Sequence, residues 1–281
     1  MPLLFNDILR NVGIDPKRVR LLRHKDSSSA KGRSPYEMWR DDRQSFEFYQ
    51  SIQLIKNRSN LRAEHWAAFV VTPGGQTLLA GIYDCRYCGL NESDLQAPNK
   101  DAIDVAGTCD VYELTLDAQF NDLAGRLVIE WGKGTPSWIQ RADNQDKVIL
   151  ELWAEFREDA FPGFAQFISS ASQIGKLPKS WVEALSATKG VYLLVCPKTK
   201  EQYVGSASGS DGFIGRWKSY AQDGDGGNLG LRSREPSDYQ ITILETVGMS
   251  ATQKDITALE QHWMEKLRSN EMGLNRRRSH P

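Results

Sequence analysis

Four cysteines in 281 residues are too few for a disulfide scaffold, which makes free thiols in a reducing cytoplasm the expectation. No apolar run approaches the roughly 20 residues that span a bilayer, so no membrane association is expected. The opening, MPLLFNDILRNVGIDPKRVR, has neither the apolar core nor the small-residue cleavage site of a signal peptide. Charge of one sign is not in excess either. The 35 Lys and Arg nearly balance 36 Asp and Glu, for a net charge of −1 and no overall nucleic-acid signature. Internal repeats and low-complexity tracts are absent.

What is present is a folded globular composition, 40% hydrophobic and 25% charged, in a chain long enough for one large or two medium domains. Charge is mildly uneven: residues 176–281 hold 15 Lys and Arg against 12 Asp and Glu, and the rest holds 20 against 24. Leu3, Leu4, Phe5, Ile8 and Leu9 form one face of a short helix ending near Gly13. A second helix is predicted over PYEMWRDDRQSFEFYQSIQLIKN, with Pro35 in its first turn and Phe48, Ile52 and Ile55 as its stripe. HWAAFVV-TPGG-QTLLAGIY reads as a hairpin, and further strands are predicted at 111–116, 126–132 and 147–153. Several strands with long connections predict a closed or strongly curved sheet.

The Pro-, Gly- and Ser-punctuated stretch 161–180 is the expected boundary, giving domains 1–170 and 178–281. The second opens with a short helix in WVEALSATKG. A hairpin follows in GVYLLVCPKTKEQYVGSA, then a helix from about Phe213, a strand in YQITILETV, and a long helix with Ile256, Leu259, Trp263 and Leu267 as its stripe. Ser250 or Thr252 is its expected cap. The expected class is α+β. A β-rich, barrel-like first domain with helices precedes a small three-stranded antiparallel sheet flanked by helices.

Cys85 and Cys88, in CRYC, have zinc-knuckle spacing. With no second CxxC or HxxxH, only Cys109 and His65 are left to complete a site. Free thiols on or near a strand are the expectation.

The second domain carries an ordered set of residues. Gly190-Val191-Tyr192 and Tyr203-Val204-Gly205 lie on the two hairpin strands. Arg216 and Tyr220 follow at i and i+4 on a helix, Glu260 lies within the long helix, and GLN supplies Asn275. In this order the residues resemble the GIY-YIG endonuclease superfamily, over about the last hundred residues. The literal GIY at Gly81–Tyr83 is followed by no YIG-like tripeptide and reads as an ordinary strand end. Nucleotide-excision-repair relatives carry a lysine just after the YIG glycine; here that position is Ser206.

The resemblance implies a divalent-metal-dependent endonuclease that hydrolyses phosphodiester bonds in DNA. Glu260 is the one carboxylate the pattern requires, so Mg²⁺, with Mn²⁺ able to substitute, would be held largely by water and substrate oxygens. Arg216 would offer its planar fork to the phosphate. Tyr192 is the water-activating base the family suggests, although a phenol near pKa 10 needs nearby cations for that role. Tyr203 and Tyr220 would orient water and phosphate, and Asn275 would fix the loop or helix around Glu260. Lys218, Arg232, Arg234 and Arg276 are candidate phosphate contacts without base specificity. His262 points away from the site at helical spacing.

The first domain is rich in aromatics, including Tyr36, Trp39, Trp66, Tyr83, Tyr87, Trp131 and Trp138. Core packing accounts for such rings, and so would a barrel that everts a base and stacks it between them. HWAAFVVTPGGQTLLAGIY is similar to the strand pairs of PUA- or EVE-like barrels. A reader joined to a nuclease would be a restriction or anti-phage enzyme for modified DNA. The alternatives are a repair or structure-specific nuclease, or a DNA-binding adaptor with an inert site. Cleaving both strands in one encounter would require a homodimer.

Overall fold

A computed structural model describes residues 2–26, 32–99, 103–132, 137–223 and 238–275. The chain divides into two compact units, Met1–Asp159 and Ala160–Pro281. The division falls before the expected boundary, so residues 160–177 belong with the second unit. The reason is local: this segment supplies a strand and a 3-10 turn, Ala171–Lys176, to the second sheet and core.

The elements in order are α1 (Phe5–Asn11), β1 (Val19–His24), α2 (Pro35–Asp41), α3 (Arg43–Ser51), β2 (Ile52–Leu54), α4 (Arg58–Leu61), β3 (His65–Val71) and β4 (Thr77–Leu90). Then come β5 (Leu95–Gln96), β6 (Ile103–Asp104), β7 (Cys109–Leu116), β8 (Leu127–Ile129), β9 (Ile139–Arg141) and β10 (Ile149–Leu152). The second unit holds β11 (Ile168–Ser170), α5 (Lys179–Ser186), β12 (Lys189–Val195), β13 (Gln202–Ala207), α6 (Gly212–Asp223), β14 (Gln240–Val247), α7 (Gln253–Lys266) and α8 (Ser269–Met272).

In the first unit one curled sheet runs β10-β8-β4-β3-β1-β9, with β7 joined to β4 and β2 to β7. Fourteen-residue β4 makes this branching possible. Its first half pairs with β3 and β8, and its second half pairs with β7. The sheet is open, with β9 and β10 at its ends, and of the two expected forms, closed or strongly curved, it takes the curved one. Strand alternation divides the core. Phe69, Leu79, Leu127, Ile129 and Trp131 face α1 through Phe5 and Leu9. Ala68, Val70, Leu78, Ala80 and Val128 face α2 and α3 through Trp39 and Phe46.

The single helix expected after residue 35 is broken in two. Ser34 and Glu37 form a capping box ahead of Pro35, as the sequence suggests, but Asp42 leaves helical geometry and caps α3 through Ser45 N. The chain then turns extended at Ile52. The expected stripe is displaced: Phe46 and Gln50 are buried, whereas Phe48 and Ile55 are exposed.

His24, the last residue of β1, is 2% exposed, and burial depresses its imidazole pKa to about 4. Its folded pKa lies below the ordinary value of 6.5. Its stabilising contribution is therefore complete above that value and is lost as pH falls toward 4. Urea unfolding at pH 7.5 and pH 5 should show a drop about 2 kcal/mol larger for the native chain than for His24→Phe. Equal drops would remove His24 as the titrating group.

The second unit has a four-stranded sheet, β11-β14-β12-β13, rather than three strands. β11 adds to the outer edge of β14 and comes from the segment expected to be linker. Thr252 caps α7 in a capping box with Asp255. No helix among the described residues is long and apolar enough to cross a membrane.

Candidate functional site

The antiparallel hairpin β12–β13 sets Tyr192 opposite Gly205 and Leu194 opposite Tyr203, so both tyrosines share one sheet face. That face packs on α6 through Phe213 and Trp217, whose rings meet Tyr192 edge-on at 6.5 and 5.9 Å. The first glycine is required by close approach, because a Cβ on Gly190 would strike the Glu245 carbonyl of β14 and the Phe213 ring.

Arg216 and Tyr220, one turn apart on α6, reach the same place. The Tyr192 and Tyr220 hydroxyls lie 2.7 Å apart, and Arg216 Nε donates to Tyr192 Oη at 3.2 Å. The Arg216 guanidinium stands 5.2 Å from the Tyr220 ring centre, and Tyr203 is hydrogen-bonded to Tyr220. The three phenols thus form a chain with one cation against it.

Burial sets their chemistry. Tyr192 is wholly buried, and desolvation, then the neighbouring Tyr203, drive its pKa upward against the opposing pull of Arg216. Desolvation drives Tyr203 and Tyr220 upward as well. A phenol so placed is a poor base, and its hydroxyl accepts from Arg216 and so fixes the guanidinium. Burial works against the Arg216 charge, but Tyr192 and Tyr220 outweigh it and the guanidinium stays protonated.

Glu260 comes from α7 and meets Ser206, which the sequence reading named but gave no role. Ser206 Oγ donates to Glu260 Oε2 at 2.8 Å. Ser206 has the opposite strand parity to Tyr203, so the carboxylate approaches β13 over the other face of the sheet. β13 is the edge strand, and from there Glu260 still feels Arg216 and raises Tyr203. Burial lifts the Glu260 pKa above its ordinary range, while Ser206 and Arg216 oppose the shift. Ser206, directly after Gly205, therefore supplies the polar contact to this carboxylate.

Ser206→Ala should raise the Glu260 pKa further. If the ionised carboxylate is the working form, the acid limb of a pH–rate profile moves to higher pH. An unmoved limb accompanied by only a uniform loss of rate would assign Ser206 to packing.

Asn275 does not reach Glu260. Its Oδ1 accepts from Val204 N at 2.8 Å, and its Nδ2 donates to Val204 O at 2.7 Å. Leu274 N adds a bond to Gln202 O at 2.8 Å. The segment after α8 thereby covers the outer edge of β13 at Gln202 and Val204 and fixes the strand that bears Tyr203 and Ser206.

Lys218 is exposed on α6, but two helical positions from Arg216 it turns to the far side of the helix. Arg232, Arg234 and Arg276 lie outside the described residues, and His262 is exposed. Cys85, Cys88, Cys109 and Cys196 are free thiols. Burial and the neighbouring Cys88 push the Cys85 thiol pKa up to about 12. Among the described residues no three His, Cys, Asp or Glu side chains cluster as a metal cage.

A hard divalent cation still fits Glu260. The carboxylate is half-buried, among the described residues it takes a hydrogen bond only from Ser206, and Arg216 is engaged by Tyr192. With a single carboxylate, water and substrate oxygens would complete the shell, as Mg²⁺ favours. Comparison with known protein families, characterised proteins and solved structures gives no match for this chain.

Proposed function

We propose that this chain is a metal-dependent DNA endonuclease of GIY-YIG type, acting in the cytoplasm, whose first unit selects the DNA. The observation that carries the reading is the convergence of Arg216 with three linked phenols on one side of β13 and Glu260 with Ser206 on the other.

Phosphodiester hydrolysis depends on positioning and on stabilising charge at the phosphoryl oxygens. Arg216, half-buried and held by Tyr192, presents its guanidinium charge to one phosphate. Tyr203 and Tyr220 orient the attacking water through their linked hydroxyls, and its proton passes to a non-bridging phosphate oxygen of the substrate or to solvent, which also protonates the leaving 3′-oxygen. Glu260, steadied by Ser206, would hold Mg²⁺ or Mn²⁺, whose charge would neutralise the phosphate and the leaving 3′-oxygen. One such site makes one nick, and two copies of the chain would cut both strands together.

The test is cleavage in Mg²⁺ of matched duplexes bearing unmodified, methylated, hydroxymethylated or glucosylated cytosine. Cutting confined to one modified duplex is the result expected of a restriction enzyme for modified DNA. Cutting of unmodified DNA at a fixed sequence or junction assigns the chain to repair or structure-specific cleavage. Intact DNA throughout, with Mn²⁺ included, replaces the enzyme with a binding protein.

A further inference from the structure

Cations in the first unit are gathered rather than spread. Residues 17–25 carry five Lys and Arg and residues 56–62 carry three, and neither stretch contains an Asp or Glu. The two stretches meet in the fold. β1 lies in the first and α4 in the second, and Arg20 Nε donates to Asn60 O at 3.0 Å. β9 adds a further cation, because its antiparallel pairing with β1 sets Arg141 directly opposite Arg20.

Like charges at opposed sheet positions repel and cost stability. The cost is felt at Arg20: burial, then the Arg141 charge, lowers its pKa, and Asp143 only partly opposes them. Asp143 accepts from Arg141 Nε at 3.0 Å and Nη2 at 2.7 Å, so one carboxylate serves two guanidinium groups. Lys56 and Arg62, on either side of α4, are exposed, and among the described residues neither forms a salt bridge. Lys25, also exposed, lines one cleft with Lys56. The face therefore carries positive charge that the protein itself leaves unbalanced. An anion seated between Arg20 and Arg141 would relieve their repulsion, and a phosphodiester offers the charge and the paired oxygens that two guanidinium groups match.

We infer that this face of the first unit, centred on the opposed Arg20 and Arg141, holds the phosphate backbone of duplex DNA, with Lys56 and Arg62 on flanking phosphates. Such contacts set where the unit rests on the duplex and carry no sequence information. The choice of DNA among phosphate polymers rests on the nuclease reading above; the preference for a polyanion rests on the charge arrangement alone.

The experiment uses the full chain without divalent metal, so that DNA stays intact, and a fluorescein-labelled unmodified duplex. Affinity is read by anisotropy across about 50–200 mM NaCl. Arg20→Gln, Arg141→Gln and Arg62→Gln should each weaken binding about 10-fold at the low-salt end. Each should also lower the slope of log affinity against log salt by about 0.9, and to the same extent on duplexes of different sequence. Arg10→Gln, on α1 and paired with Asp7, should change neither quantity. Because Arg62 is exposed, its variant keeps the inference open to test if Arg20→Gln fails to fold.

Unchanged slopes in the three variants, or no binding by the native chain, would overturn the inference. So would binding to phosphatidylglycerol vesicles that these variants weaken while DNA binding stays unaltered, which would make the face a membrane contact. Equal affinity for duplex RNA would remove DNA as its partner. Failure of the nuclease reading would appear separately, as a duplex bound with the expected slopes yet left uncut when Mg²⁺ or Mn²⁺ is added.

Discussion

Replacing Glu260 by alanine should lower single-turnover cleavage by at least about 10²–10³-fold, the scale of losing one transition-state charge stabiliser. DNA affinity measured without divalent metal should change less than about threefold. The separation follows from where the carboxylate sits. It is half-buried on α7, its polar partner is Ser206, and no described Lys or Arg pairs with it in a salt bridge. Its removal leaves no cation stranded, and Ser206 at the strand edge can turn to water. Folding should therefore survive, and equilibrium unfolding of the variant provides that control. Arg216→Ala should differ. It strips a donor from the buried Tyr192 hydroxyl and should cost stability as well as cleavage and phosphate affinity. If Glu260→Ala cut DNA at the native rate while Arg216→Ala did not, the carboxylate would have no part in the chemistry and the implied metal would lose its ligand.

The two variants also separate what could be read from the sequence and what could not. The tripeptides Gly190–Tyr192 and Tyr203–Gly205 were legible because a hairpin is local. Period-two alternation places both tyrosines on one face once the strands pair. Arg216 and Tyr220 were legible for the corresponding helical reason. Ser206 was not, because its role depends on α7 returning over the opposite face 54 residues later. Asn275 was expected to fix the loop or helix around Glu260 and instead holds Val204 of β13, since nothing in GLN indicates that its amide will complete the hydrogen bonding of an edge strand.

In the first unit, apolar periodicity ran unbroken through residues 35–57. The break at Asp42 is a side-chain capping event that hydrophobic patterning does not register. β11 was hidden for a similar reason, because three residues between prolines and serines become a strand only when β14 offers an edge. The opposition of Arg20 and Arg141 depends on the pairing of two strands far apart in the chain and has no linear signature at all. Aromatic abundance suggested that some rings might bind, yet most of those singled out proved to be core. Trp66 and Tyr83 are wholly buried.

Gly205→Ala should harm cleavage more than it harms the fold, and Gly209→Ala should do neither. A methyl group on Gly205 would lie 2.5 Å from Tyr192 Oη, 2.6 Å from its Cζ and 2.8 Å from Tyr203 Cε1. Neither ring can yield easily: Tyr192 is wedged between Phe213, Trp217 and Tyr220, and Tyr203 lies beside it on the neighbouring strand. Overpacking of this kind costs about 1–3 kcal/mol, which leaves a folded protein. The displaced hydroxyl, however, carries both the 2.7 Å link to Tyr220 and the 3.2 Å bond from Arg216. A shift approaching 1 Å in the group that orients Arg216 should cost about 10²-fold in cleavage. Gly209, four residues on, has no atom within 4 Å of the corresponding methyl position, so Gly209→Ala should stay within about 0.5 kcal/mol and keep its activity. Urea unfolding and single-turnover cleavage of the two variants in parallel decide the matter. If Gly205→Ala lost stability but cut normally, the Tyr192–Arg216 contact would be packing, and the phosphate would have to be held without it.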